Sequence, residues 1–331
     1  MKIICYIKNI IMVCLILICL FLVGCTQKHK HEYINGLCNC GETSMHIHSF
    51  VDGVCECGKS SEGFKAQVDG FNIEGSTVKS YTGVSTDVVI PERYMCNNEY
   101  VFVTTLDKFV FQNAVFGILL EIPRTINNIN PQALVGAGNV SNIRVNQYNK
   151  TYASVKGDLY SRDKTTLIRF VSNQLLDEYT VLDSVTSIGD FAFAYAMINK
   201  LIVGEQVTTI GKAAFYGSII SNIEISDKNN NYVCNDNVVY SKDNTTLVYY
   251  LPSNTKEEFS IPETVTTIKE AAFYNPFLLK NITVHKNVTT VEENAFVIND
   301  ATTITCQVTE KPSGWQDNWT NKLANVVWAT N

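Results

Sequence analysis

The stretch Ile261-Pro262-Glu263-Thr264-Val265-Thr266-Thr267-Ile268-Lys269-Glu270-Ala271-Ala272-Phe273 decides the fold, because the chain keeps returning to it. Its Val-Thr-Thr-Ile core and Ala-Phe end recur at Val288 to Val291 with Ala295-Phe296, an offset of 23 residues. Val185 to Ile188 with Ala192-Phe193 and Val207 to Ile210 with Ala214-Phe215 are a second pair, offset by 22. Ile126 to Ile129 with Ala133-Leu134 is a weaker copy. Between these landmarks lie short alternations: Leu120-Glu121-Ile122, Ile143-Arg144-Val145, Leu201-Ile202-Val203, Ile223-Glu224-Ile225, Ile282-Thr283-Val284 and Ile304-Thr305-Cys306. Each reads as a strand whose first and third residues face a core. A unit this short cannot bury its apolar face alone. The units must stack, with a parallel sheet along one side and short turns or half-helices along the other. Ala permits close approach, and Phe fills the space between coils.

A longer period overlays the short one. Ile143, Tyr152, Tyr160, Leu167, Val185 and Phe193 recur as Ile223, Tyr232, Tyr240, Leu247, Val265 and Phe273, each shifted by 80. The segments Tyr152 to Phe170 and Tyr232 to Tyr250 share Tyr-Ser-x-Asp-x-Thr-Thr-Leu, which reads as a duplicated block with an embedded hairpin.

The pattern I-P-x-x-V-T-x-I-x-x-x-A-F at this spacing resembles the BspA-like leucine-rich repeat proteins of bacterial surfaces. Pro312-Ser313-Gly314-Trp315, with Trp319 and Val327-Trp328, resembles the closing segment that follows the last such repeat. The resemblance covers Asn113 to Asn331. It implies an α/β-type repeat solenoid of leucine-rich repeats, strand-dominated, and adhesion or contact with an extracellular protein or glycan. It carries over no catalytic residue. Residues 113–331 are expected to form the solenoid with its Trp-containing cap, and 64–112 a divergent N-terminal cap in which Val89-Ile90-Pro91 is a degenerate strand. The outward strand positions Glu121, Arg144, Ile202, Glu224, Thr283 and Thr305 are candidate ligand contacts, although a solvated face is the simpler reading of any one of them.

Residues 1–24 have the layout of a secretory signal: Lys2 and Lys8, an apolar run from Ile10 to Val23, and Gly24 before Cys25. Leu22-Val23-Gly24-Cys25 resembles a bacterial lipobox, which implies a lipid on Cys25, a mature chain that begins there, and anchoring at the outer face of the cell membrane. An uncleaved transmembrane helix is the competing reading of the apolar run.

Between His29 and Gly58 one small pattern occurs twice, 17 residues apart: His29-x-His31-x-Tyr33-x-Asn35-Gly36-x-Cys38-x-Cys40 and His46-x-His48-x-Phe50-x-Asp52-Gly53-x-Cys55-x-Cys57. Asn-Gly and Asp-Gly are strong signals for two-residue hairpin turns, since both central positions need positive φ. Two small β-hairpin modules are therefore expected within 25–63. In the first, Ile34 should lie opposite Leu37 and Tyr33 opposite Cys38. Each hairpin would gather two imidazoles and two thiolates on one face, a closed tetrahedral shell for structural zinc. A disulfide also suits an exported chain, but it has no use for the histidines.

Of 331 residues 46% are hydrophobic and 18% charged, with a formal net charge of −6. Nucleic acid is excluded as a partner by the absence of a Lys/Arg stripe. No enzyme motif is present, and His285 alone among the histidines lies outside the modules. Cys96, Cys234 and Cys306 are too far apart for a disulfide framework and read as small buried residues. Asp227 to Asn231 reads as a polar turn. Two functions are compatible with this layout: a lipid-anchored surface protein that binds through its solenoid, and a zinc-capturing lipoprotein with the solenoid as scaffold.

Overall fold

The computed structural model describes residues 33–34, 37–38, 47–114, 118–137, 140–171, 174–321 and 324–330. The signal segment, Cys25, His29, His31, Cys40 and His46 lie outside these residues. The chain divides into two compact units, Met1–His46 and Ile47–Asn331. In the first, Tyr33–Ile34 pairs antiparallel with Leu37–Cys38 in the expected register, Tyr33 with Cys38 and Ile34 with Leu37.

The second unit is a strand-dominated solenoid, and no helix occurs among the described residues. Its return segments are turns, not half-helices. The physical reason is where their amides go: those of Phe191, Phe193 and Tyr195 donate to carbonyls of the next coil (Lys212, Ala214 and Tyr216), and those of Ala192, Ala194 and Ala196 close short three-residue turns. Phe191 and Tyr195 also have positive φ, so no helical ladder forms. The alternating segments build parallel ladders. Asp87–Val89, Ile118–Ile122 and Val140–Val145 form one sheet; Leu176–Thr180, Met197–Val203 and Ile219–Ile225 the next; Glu258–Ser260, Asn281–Val284, Thr303–Cys306 and Asn325–Trp328 the last. The Val-Thr-Thr-Ile motifs form a second, narrower ladder, Leu167-Ile188-Ile210 and Leu247-Ile268-Val291. The Phe of each Ala-Phe pair is buried, and these rings stack from coil to coil: Phe193 on Phe215 at 5.8 Å, Phe215 on Tyr249 at 4.8 Å, and Phe273 on Phe296 at 4.8 Å. Trp315 and Trp319 close the end; Trp319 stands edge-on to Phe296, and the Trp315 indole donates to the Val288 carbonyl at 3.0 Å.

The hairpin block occurs three times. Tyr152–Val155, Asp158–Ser161 and Thr166–Arg169 form one antiparallel meander that feeds the narrow ladder, and Tyr232–Asn235, Val238–Ser241 and Thr246–Tyr250 form the second. Residues 64–112, read from the sequence as a divergent cap, contain the same topology in Lys65–Val68, Phe71–Glu74 and Thr77–Tyr81. All three carry a bulge at one matched place, after Asn72, Leu159 and Val239. All three turn on two residues with positive φ, Asp69-Gly70, Lys156-Gly157 and Asp236-Asn237, which suits the twist of a two-residue hairpin.

The shared Tyr-Ser-x-Asp-x-Thr-Thr-Leu motif is the second turn of the meander. Asp163 accepts from the Ser161 hydroxyl at 2.6 Å and from the Thr165 amide and hydroxyl, and Ser161 Oγ accepts the Thr166 amide. Asp243 and Ser241 repeat each bond. The polar turn at Asp227 to Asn231 also has a structural task. Asn229 is fully buried, donates to the Gly204 and Val207 carbonyls, and accepts the amides of Asn231 and Tyr232. Asn149 does the same in the preceding block.

Candidate metal centre and exposed sheet

Asp52-Gly53, with φ of 49° and 80°, closes a hairpin of Phe50–Val51 and Val54–Cys55. The expected face does not extend along this hairpin to His48. Instead Ile47–His48 pairs in parallel with Tyr100 and Val101 of the strand Glu99–Phe102. In this position the His48 ring stacks on Phe50 at 5.6 Å and tilts against Phe64 at 5.3 Å, and only 2% of its surface is exposed. Cys55 is buried beneath it. A tight turn, in which the Gly58 amide donates to the Cys55 carbonyl, swings Cys57 back over the ring. Its Sγ lies 3.4 Å from His48 Nδ1. The ligand atoms of His48, Cys55 and Cys57 all fall within 4.8 Å of one another, close to the spacing of zinc ligands in a tetrahedron.

A residue invisible to sequence spacing completes the arrangement. Glu99, 51 positions downstream, sets its Oε2 3.0 Å from His48 Nε2. Lys59 contacts both Glu99 oxygens, at 2.5 and 2.6 Å, and holds that carboxyl below its ordinary range, with a smaller contribution from His48. A carboxylate at Nε2 suits the tautomer in which Nε2 donates to Glu99 and Nδ1 faces the two sulfurs. Of the eight module residues read from the sequence, the structure brings together His48, Cys55 and Cys57; Cys38 is described by its backbone alone, and the other four lie outside the described residues.

The outward strand positions pair laterally, one coil to the next: Glu121 beside Arg144, Ile202 beside Glu224, and Thr283 beside Thr305. None of the six is buried. Arg144 Nη1 reaches Glu121 Oε1 at 2.6 Å, and Lys200 bridges Glu178 and Glu224 at 3.7 and 2.9 Å. Charges on this face are thus largely matched. His285 is structural: Nε2 donates to the Pro262 carbonyl at 2.6 Å while Nδ1 accepts the Asn287 amide. Cys96, Cys234 and Cys306 are free thiols; Cys306 is buried as expected, whereas Cys96 and Cys234 are only partly buried. Burial pushes Cys234 up to about 11 and Cys306 up to about 12, which makes both inert.

The stacked coils, single-strand ladders and ring spine define a repeat solenoid in which each coil completes its core only through its neighbours. The BspA type leucine-rich repeat model matches residues 168–296 and 248–313, in six copies. Among solved structures, a leucine-rich cell surface protein from Faecalibacterium prausnitzii matches at 16% identity over 81% of this chain and 95% of that one, with a TM-score of 0.38. A leucine-rich repeat protein from Eubacterium ventriosum matches at 19% identity over 73% and 65%, TM-score 0.40. The pneumococcal vaccine antigen PcpA matches at 14% identity over 81% and 89%, TM-score 0.40. Comparison with curated proteins yields no match.

Proposed function

We propose that this chain is an exported surface protein, held to the outer face of the bacterial membrane by a lipid on Cys25, whose solenoid binds an extracellular protein or glycan. The observation that carries this reading is the exposed sheet face, where side chains from successive coils stand in lateral register on a rigid array. Solenoid faces of this kind suit extended ligands. The test is binding of the purified mature chain to immobilised matrix proteins and glycans, together with adherence of a deletion strain. No saturable binding and unchanged adherence would sink it.

The small modules are assigned a structural zinc each, held by His46, His48, Cys55 and Cys57 in one and by His29, His31, Cys38 and Cys40 in the other. Support comes from the convergence of His48, Cys55 and Cys57 and from the carboxylate behind the imidazole. Burial of His48 and Cys55 favours a structural ion over a captured, exchanging one. Native mass spectrometry of the mature chain beside a Cys38→Ser/Cys40→Ser variant decides: two zinc ions falling to one are expected, whereas a zinc-free protein lighter by the hydrogens of two disulfides would replace the metal with disulfide bonds.

A further inference from the structure

The three hairpin blocks act as internal controls on one another. The residue that follows the two-residue turn is Phe71 in the first, Asp158 in the second and Val238 in the third. In the parallel strand that follows each block, the residue in register with the core position of the next coil (Leu120, Leu201 and Ile282) is Val88, Tyr179 and Phe259 in turn. Two blocks therefore place two buried apolar side chains where the middle block places a carboxyl and a phenol, so the fold itself has no need of the polar pair.

The exchange is a built one. Asp158 is 4% exposed, and its Oδ2 accepts the Tyr179 hydroxyl at 2.7 Å. With that proton committed, the 2.9 Å contact between Tyr160 and Tyr179 runs from the Tyr160 hydroxyl to the Tyr179 oxygen. Asp158 Oδ1 accepts the Val171 amide at 2.9 Å. In the outer blocks the matching amides, Thr82 and Leu251, go to backbone carbonyls of the turn, Gly70 and Asn237. A carboxylate has about four acceptor sites, so these two bonds leave others unused, and Asp158 is among the residues that line a groove of about 470 Å³, within the size range of small-molecule clefts.

The walls select the ligand. Val155, Leu176 and Leu182 are half-buried aliphatics. Of the charged lining residues, Lys156 acts on the buried Asp158, and Glu178 is met at 3.7 Å by Lys200, which lies outside the lining and pairs more closely with Glu224 at 2.9 Å. A cationic ligand finds both carboxylates already partnered, and an anionic one is repelled by them. A hydroxyl donor with an apolar side suits these walls.

We propose that this groove is a saccharide subsite, in which Asp158 accepts hydroxyls of a neutral pyranose while Val155, Leu176 and Leu182 cover its C–H face. The proposal rests on the surface-binding reading above and names one place where it happens. The test is saturation-transfer NMR and calorimetry on the full mature chain with methyl glucoside, methyl galactoside and N-acetylglucosamine, beside lysine amide as a cationic probe. The decisive variant is Asp158→Val/Tyr179→Phe, which installs third-block side chains and a near copy of a packing the chain already uses. Lys256→Ala, in the matching groove of that third block, is the control. Saturable pyranoside binding that weakens ~10-fold or more in the double variant and not in the control supports the proposal. Binding of lysine amide alone, pyranoside binding that survives the double variant, or no binding at all overturns it. Matrix binding that persists when pyranoside binding is absent would remove the subsite and leave the surface reading standing; loss of saturable matrix binding with the subsite intact would do the reverse.

Discussion

Two side chains state the chemistry of this protein most sharply. Burial holds the Asp158 carboxyl up at about 6 against an ordinary 3.8, with the Val171 amide, Tyr179 and Lys156 each pulling the other way. Between those values the folded chain keeps a proton that the unfolded chain has released. Stability should therefore fall as pH rises through this window, by about 3 kcal/mol in all, and stay lower above it. Asp158→Val/Tyr179→Phe should flatten that slope and raise the melting temperature near neutral pH, as thermal unfolding across the window will show. Glu99 makes the second case. Glu99→Gln keeps the shape but weakens the hold on the imidazole, and a loss of zinc affinity of about 10–100-fold is expected, read by competition with a chelating dye. An unchanged affinity would mean that Glu99 serves packing alone.

Among the elements, each hairpin block interrupts the narrow ladder and must satisfy the amide it strands. The Tyr232 hydroxyl accepts the Ile210 amide at 3.0 Å, and the Tyr152 hydroxyl accepts that of Ile129 at 2.9 Å. Tyr232→Phe should cost about 1–3 kcal/mol, the penalty of a buried amide left without a partner, measured by denaturant unfolding. Return turns hold a different reserve. Phe191, Ala213, Ala271 and Asn294, the residue before each Ala-Phe pair, all have positive φ. Only Asn294 is a type that tolerates that region well. Ala271 is 2% exposed and has no room for an amide, so the relieving change is Ala271→Gly, which should raise stability by roughly 0.5 kcal/mol; a fall in the denaturation midpoint would show that the lost methyl packing outweighs backbone relief.

Over the whole molecule, the ring spine runs into Trp319 and Trp315, which are 4% and 2% exposed and belong to the last coil, where Trp315 bridges to Val291, Thr320 to Phe296, and Asn325–Trp328 adds the final strand. A solenoid unfolds from ends that lose their cap. Trp319→Ala should cost about 3–5 kcal/mol and expose Phe296, with hydrogen exchange rising in the last coils first and only later near Phe193. Uniform loosening would contradict a nearest-neighbour array.

How much of this was legible beforehand follows from which interactions are periodic. Ile143, Val185, Phe193 and their partners 80 residues on announce stacked coils, because every coil solves the same burial problem with the same spacing. The first hairpin block was not legible: Gly75-Ser76 replaces the longer Arg162 to Thr165 turn, so the shared motif is missing although the pairing is the same. The half-helix alternative for the return segments likewise gave way to turns, because alternate amides such as those of Phe191, Phe193 and Tyr195 bond to the next coil. Glu99 behind His48, and Tyr179 on Asp158, join residues 51 and 21 positions apart with no repeat to mark them. The sequence by itself determined the solenoid, its period and the register of the small hairpins, since these depend on local alternation and turn chemistry. Only the tertiary structure decided which side chains face one another across coils, because that depends on where each coil's groove meets the next.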